Sequence, residues 1–313
     1  MRNLAPLVVL LALAGPASAG TQGATAFDFL STDAAPRPAA MGGAYTAVSD
    51  DADGMLYNPA GLAFTASNQA SFAHADLSNG LTQDYLALAA HGDGDRRLGR
   101  SGLLGDGQGA GLYVETFDFG SIQRTTLANQ SGSGLDTFGI RDWAIGAGYA
   151  IKPLDWLGVG VAGKYLRENI DNTVAQTGAV DLGARADLEK TISQPVTLGA
   201  ALQNLGPDPK FRNQTSPMPE TLRLGMAWQP RTAYTVAVDL VDVRNGSVST
   251  RIGGEWRPAP YAALRLGWNG QNDAGPGVTV GASLSVKKLR FDYAFVPYGD
   301  VGNAHRIGVS YSW

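Results

Sequence analysis

From Asn68 to the C-terminal Trp313, segments of about ten residues alternate apolar side chains with small or polar ones. A period of two is the signature of strands with two unlike faces. Leu222, Leu224, Met226 and Trp228 fall on one face, with Arg223, Gly225 and Ala227 on the other. Val278, Val280, Ala282, Leu284 and Val286 oppose Thr279, Gly281, Ser283 and Ser285, and Ile307, Val309, Tyr311 and Trp313 oppose Arg306, Gly308, Ser310 and Ser312. Breaks at Gly, Pro, Asn and Asp place strands at 68–76, 83–91, 108–119, 138–150, 156–169, 176–189, 194–204, 220–230, 232–242, 247–257, 260–269, 276–286, 288–297 and 304–313. That is an even number, as a single-chain bacterial barrel requires if its wall starts and ends on one side of a membrane.

Alternation alone does not separate a barrel with an apolar exterior from a sandwich with an apolar core. Strand length does: about ten residues cross a bilayer at a tilt, whereas sandwich strands run to about five or six. Tryptophan placement agrees. If the first strand rises from the periplasmic side, Trp156, Trp228, Trp256 and Trp313, four of the six, land at one end, where indole rings form a girdle at headgroup level. The predicted fold is therefore all-β, a transmembrane antiparallel barrel of about 14 strands. A mean hydropathy of −0.08 suits one lipid face and one wet face and is too low for a helical membrane protein. Cysteine is absent, which excludes disulfides and thiolate sites. Charge is scattered, with a net of −4, unlike a nucleic-acid footprint.

Met1-Arg2-Asn3, the apolar run Leu4 to Ala14 and the small-residue site Ala17-Ser18-Ala19 predict a signal peptide at 1–19. The run is too short to span a bilayer. Residues 20–65 lack alternation and read as an N-terminal segment of loops with helical pieces at 39–47 and 54–63; the barrel is expected over 66–313. Connections 151–155, 190–193 and 286–288 are tight and expected on the periplasmic side, while 120–137, 205–219 and 298–303 face outward. The segment 92–107, with Arg96, Arg97 and Arg100, reads as a solvated loop or a partner contact. Trp313 on an alternating last strand is similar to the signal read by the barrel-assembly machinery. Both mature termini are expected on the periplasmic side of the outer membrane.

The run Arg37-Pro38-Ala39-Ala40-Met41-Gly42-Gly43-Ala44-Tyr45-Thr46-Ala47-Val48 leads into Tyr57-Asn58-Pro59-Ala60-Gly61-Leu62-Ala63, and the chain closes on Phe291-Asp292-Tyr293-Ala294-Phe295-Val296-Pro297-Tyr298-Gly299-Asp300-Val301-Gly302-Asn303-Ala304-His305-Arg306. Between them, Asp118-Phe119-Gly120-Ser121-Ile122, Gly163-Lys164-Tyr165, Ala201-Leu202-Gln203-Asn204-Leu205-Gly206 and Leu222-Arg223-Leu224-Gly225 fall in order. In these motifs the chain resembles the PorV/PorQ family of outer-membrane proteins, themselves related to FadL-like transporters. The resemblance spans essentially the whole mature chain. It implies a barrel plugged by a hatch at Tyr57, Asn58, Pro59, Ala60 and Gly61, and a closing hairpin at Pro297, Tyr298, Gly299, Asp300 and Gly302. It also implies a non-enzymatic role bound to secretion-system proteins or cargo or, as the alternative, passage of a hydrophobic ligand.

Alternation turns Lys164, Glu168, Asp181, Arg185, Asp187, Arg223, Asp239, Arg251, Glu255, Arg265, Arg290, Asp292 and Arg306 inward. Near-equal numbers of each sign predict a hydrated, salt-bridged interior that braces the barrel, with a polar path or an anionic headgroup site as the functional reading. Asp50, Asp51 and Asp53 lack the later carboxylate of a calcium loop and read as an exposed acidic turn. His74, His91 and His305 have no metal spacing or recognisable nucleophile partner. No cofactor, metal or catalytic group is expected.

Overall fold

The computed structural model describes residues 25–78, 80–92, 104–271 and 275–313. The proposed signal peptide and Arg96, Arg97 and Arg100 lie outside them. Fourteen strands close an antiparallel barrel. They are β1 (Gln69–Asp76), β2 (Thr82–His91), β3 (Gln108–Gln123), β4 (Thr137–Leu154), β5 (Leu157–Ile170), β6 (Thr173–Asp187), β7 (Val196–Leu205), β10 (Thr221–Arg231), β11 (Tyr234–Val243), β12 (Ser249–Ala259), β13 (Ala262–Asn269), β14 (Val278–Val286), β15 (Leu289–Pro297) and β16 (Asn303–Ser312). β8 (Lys210–Phe211) and β9 (Gln214–Thr215) form a separate small hairpin in the loop after β7. β1 pairs with β16 from Gln69↔Ser312 to Asp76↔His305, which closes the wall and leaves no unpaired edge.

The faces follow the alternation. Leu224 is 48% exposed while its neighbours Arg223 and Gly225 are buried. Such an outward apolar band belongs in lipid, which cannot satisfy polar groups. Trp156, Trp228, Trp256 and Trp313 sit at the end of the tight hairpins, hereafter the turn end. Tyr234 stacks on Trp256 (ring centroids 6.5 Å apart) and Tyr311 on Trp313 (5.7 Å).

Three expectations change. β3 and β4 run to 16 and 18 residues, so strand occupies part of 120–137. At that loop end Arg141 pairs with Asp118 at 2.5 Å, and Arg124 bridges Asp136 (2.8 Å) and Asp171 (2.9 Å). The Arg124 hydrogen bonds hold the Asp171 carboxyl below its usual range. The helical piece at 39–47 is instead a short helix, α1 (Pro36–Ala40), because Gly42 and Gly43 take φ of 62° and 77°, which a helix cannot continue through. The piece at 54–63 is two 3₁₀ turns, Ala52–Leu56 and Pro59–Phe64. The second turn of α-helix, α2 (Glu189–Ile192), lies in the β6–β7 connection.

The N-terminal segment threads the barrel from one end to the other. The Ala26 N–H donates to the Pro217 carbonyl (2.9 Å) and the Phe27 N–H to Glu168 (3.0 Å), both at the loop end. The Ala52 N–H donates to the Gln69 side chain at the turn end (3.0 Å), where the Trp313 backbone N–H also donates to the Asn68 carbonyl (3.0 Å). The first described residues and Trp313 therefore lie at opposite ends of the barrel.

Candidate functional site

Inward-facing glycines explain how the segment fits so near the wall. A Cβ at Gly160 would meet Pro59 and Ala60 backbone at 2.5 Å, at Gly199 the Thr46 carbonyl, at Gly253 the Met41 carbonyl at 2.6 Å, and at Gly109 the Leu62 carbonyl. These glycines sit on β5, β7, β12 and β3, so the segment touches the wall on several sides. Gly160→Leu is accordingly expected to destabilise the protein by about 1–3 kcal/mol or more. Gly163→Leu, on the same strand but facing outward with open space, should be tolerated. Thermal unfolding in detergent measures both, and equal tolerance would refute the packing.

The five residues marked by the Asn-Pro-Ala-Gly step come together as a joint. Tyr57 donates to Asp33 (2.6 Å), and Arg223 lies over its ring (5.3 Å). The Asn58 side-chain Oδ1 accepts from Ala60 N–H (3.1 Å), capping the 3₁₀ turn, while its side-chain amide Nδ2 donates to the carbonyls of Thr46 (3.0 Å) and, on β6, Ala184 (2.9 Å). Pro59 and Ala60 seat on Gly160, and Gly61 passes so close to Ser49 that a Cβ would meet its carbonyl at 2.5 Å. Pro297, Tyr298, Gly299, Asp300 and Gly302 form the β15–β16 connection at the loop end, with the Tyr298 N–H donating to the Gly302 carbonyl (2.8 Å).

Many of the ion-pair and hydrogen-bond partners of the wall charges come from the segment. Arg37, 3% exposed, pairs with Glu255 (3.1 Å), Asp50 (2.6 Å) and Asp51 (2.8 Å). Glu255 also binds Arg265 (2.6 Å), which reaches Asp292 (3.1 Å). Arg290 bridges Asp292 (2.7 Å) and Asp51 (3.3 Å). Asp239 accepts from the backbone N–H groups of Tyr45 (3.0 Å) and Thr46 (2.9 Å) and from the Thr46 hydroxyl (2.6 Å). Arg251 faces Asp33 (3.6 Å), Arg306 donates to the Asp33 carbonyl (2.8 Å), and Arg185 to the Ser49 carbonyl (2.9 Å). Lys164 pairs with Asp181 within the wall (2.8 Å). Asp51 and Asp53 are buried, which corrects the reading of an exposed acidic turn: they fold under the lumen arginines. Glu115, Asp142, Gln83 and Tyr113 also line the lumen. The alternation that marked the other inward residues could have found them.

Near the loop end the interior turns apolar. Phe27, Phe29 and Met218 are almost fully buried among Phe117, Leu30, Leu77, Leu81, Phe119 and Phe211. Phe27 adopts φ 55°, a strained conformation for an aromatic residue. Deeper in, a cavity of about 20 Å³ lined by Asp33, Tyr57, Glu115, Lys164, Asn204 and Arg223 has room for about one water. At the turn end a polar cavity of about 310 Å³ is bordered by Arg37, Asp50, Asp51, Arg257, Arg265 and Arg290.

No family model and no curated protein matches the sequence. Solved structures do. The toluene transporter TbuX of Ralstonia pickettii superposes with a TM-score of 0.59 at 14% identity, over 89% of this chain and 98% of that one. The toluene transporter TodX of Pseudomonas putida gives 0.58 at 13%, over 95% and 98%. A FadL homologue from Pseudomonas aeruginosa gives 0.55 at 11%, over 89% and 98%. At these identities the likeness is one of fold: this chain shares the barrel fold of those proteins.

Proposed function

We infer that this chain is an outer-membrane conduit for hydrophobic solutes, held shut at rest by residues 20–65 acting as a hatch, and is not an enzyme. The carrying observation is the pairing of an apolar loop-end chamber, filled by Phe27, Phe29 and Met218, with a charged lumen whose ion pairs tie down the segment below. A nonpolar solute gains by entering such a chamber from water. The fold shared with the toluene transporters supports the same reading. Residues 1–19 would direct export, the barrel-assembly machinery would insert the wall, and outer-membrane lipid would surround it.

The test is purification in mild detergent followed by mass spectrometry of extracted small molecules, together with uptake of a fluorescent hydrocarbon into cells carrying the protein. Uptake above the empty-vector level, reduced at least several-fold by Phe29→Asp, is the expected result; no uptake with a normally folded barrel would refute it. The PorV/PorQ-type motifs at both ends of the barrel favour a second reading, docking of secretion-system proteins or cargo. Under that reading the outer loops carry the contact. Loss of a stable co-purifying protein on deleting 205–219, with hydrocarbon uptake absent throughout, would favour it over the conduit.

A further inference from the structure

Three consecutive hairpins at the turn end, β10–β11, β12–β13 and β14–β15, carry Arg231, Arg257, Lys287 and Lys288 and no carboxylate. Arg257 is compensated by the buried Glu255 beneath it (2.6 Å). Arg231, Lys287 and Lys288 are exposed and form no ion pair among the described residues. The neighbouring β6–β7 hairpin breaks the pattern with Asp187 and Glu189, and the β4–β5 hairpin sets Lys152 beside Asp155. Among the described residues, the uncompensated positive charge of the rim thus lies on this arc.

The backbone gives a second sign that the cations are placed. Val286 pairs directly with Leu289, so Lys287 and Lys288 are the whole loop, and Lys287 takes φ 57°. A two-residue hairpin at that angle favours Asn or Gly. A lysine there gives up turn stability, and no ion pair among the described residues uses its charge.

The surroundings identify what would. The Ser285 backbone N–H donates to the Tyr261 carbonyl (2.7 Å) on one side of the loop, and the Ser312 backbone N–H to the Lys288 carbonyl (2.9 Å) on the other. Lys287 and Lys288 therefore stand between Tyr261, 60% exposed, and the Tyr311–Trp313 stack. These rings face outward and mark the level of the headgroups. Hairpins two strands apart are about 10 Å apart along the rim, so the arc can contact more than one phosphate.

We propose that this arc is a binding site for anionic glycerophospholipid headgroups of the leaflet at the turn end, with Arg231, Lys287 and Lys288 on the phosphates and Tyr261 and Trp313 against the glycerol and upper acyl chain. A soluble acidic partner would have no use for the outward rings beside the lysines. The proposal rests on the membrane-spanning reading of the barrel and is independent of what the lumen carries.

The experiment places the purified protein in lipid nanodiscs containing phosphatidylglycerol and phosphatidylcholine in equal amounts, releases it and counts retained lipids by native mass spectrometry. Wild type should retain phosphatidylglycerol preferentially, and the preference should weaken with added salt. Arg231→Gln, Lys287→Gln and Lys288→Gln combined should reduce it by on the order of a hundredfold, at about fivefold per cation. Lys190→Gln, Lys210→Gln and Arg212→Gln combined, the same change of net charge outside the arc, should leave it intact. Equal retention of the two lipids, or equal loss in both triple variants, overturns the proposal. Failure to enter nanodiscs at all would instead overturn the membrane-spanning reading. Heat-modifiable gel migration confirms that each variant is folded.

Discussion

In a planar bilayer the intact protein is expected to conduct little, and Asp239→Ala to produce a large, fluctuating conductance. Asp239 is fully buried, and its carboxylate collects three donors from Tyr45 and Thr46. Its removal leaves two buried backbone N–H groups without an acceptor, at about 1–3 kcal/mol each. It also removes a carboxylate from a lumen where Arg223 and Arg251 stand nearby. The loss of about 3–5 kcal/mol expected on breaking a buried charged contact falls on the segment, because the wall keeps its ladder of hydrogen bonds. Asp239→Asn retains one acceptor oxygen and should give a smaller effect. Deleting 37–63 should give the largest conductance, since the exposed walls carry Arg223, Arg251, Arg265 and Asp292 and would be wet. A steady, large conductance in the unaltered protein would show that the segment does not close the lumen.

The second large effect concerns the outer face. Leu224, Val280 and Val309 are 48%, 41% and 39% exposed on the apolar band. Arginine at any one of them should cost about 2–4 kcal/mol near the bilayer midplane, measured as a lower midpoint for urea unfolding from vesicles. Arginine at the adjacent inward Gly225 meets a different obstacle: a Cβ there already lies 2.5 Å from Asp239 and 2.9 Å from Thr46. Its effect should appear as disordering of the segment and raised conductance. The same phenotype at Leu224 and Gly225 would mean that the assigned faces are wrong.

The wall was legible because a strand in a barrel has one apolar and one polar side, and Leu224, Val280 and Val309 declare theirs without reference to any partner. Strand ends were legible to within a few residues except where β3 and β4 continue past the membrane band. There Arg124, Asp136 and Asp171 support the hairpin through contacts distant in sequence. The N-terminal segment was less legible, since its conformation is dictated by the wall that it touches. Asp51 and Asp53 read as an exposed turn because their arginine partner on the wall, Arg290, lies over two hundred residues away. The inward glycines did carry a signal: Gly160, Gly199 and Gly253 would serve no purpose in an empty lumen, and each is where another backbone approaches.

The path of the segment also constrains how such a molecule can be made. Residues 26–64 run from the loop end to the turn end and join β1 within a few residues, at Gln69. The last seam of the wall is β1 against β16, so the strand tethered to the segment is one of the two that must meet. Once that seam is joined, drawing some forty residues through a bore crowded by Arg306, Arg251 and Arg223 would break every contact along the way. The segment is therefore expected to be laid down inside a still-open sheet and enclosed as the two edges meet. A peptide of the same sequence supplied afterwards to a finished, truncated barrel should fail to restore its closed state, whereas the same peptide present during refolding should succeed.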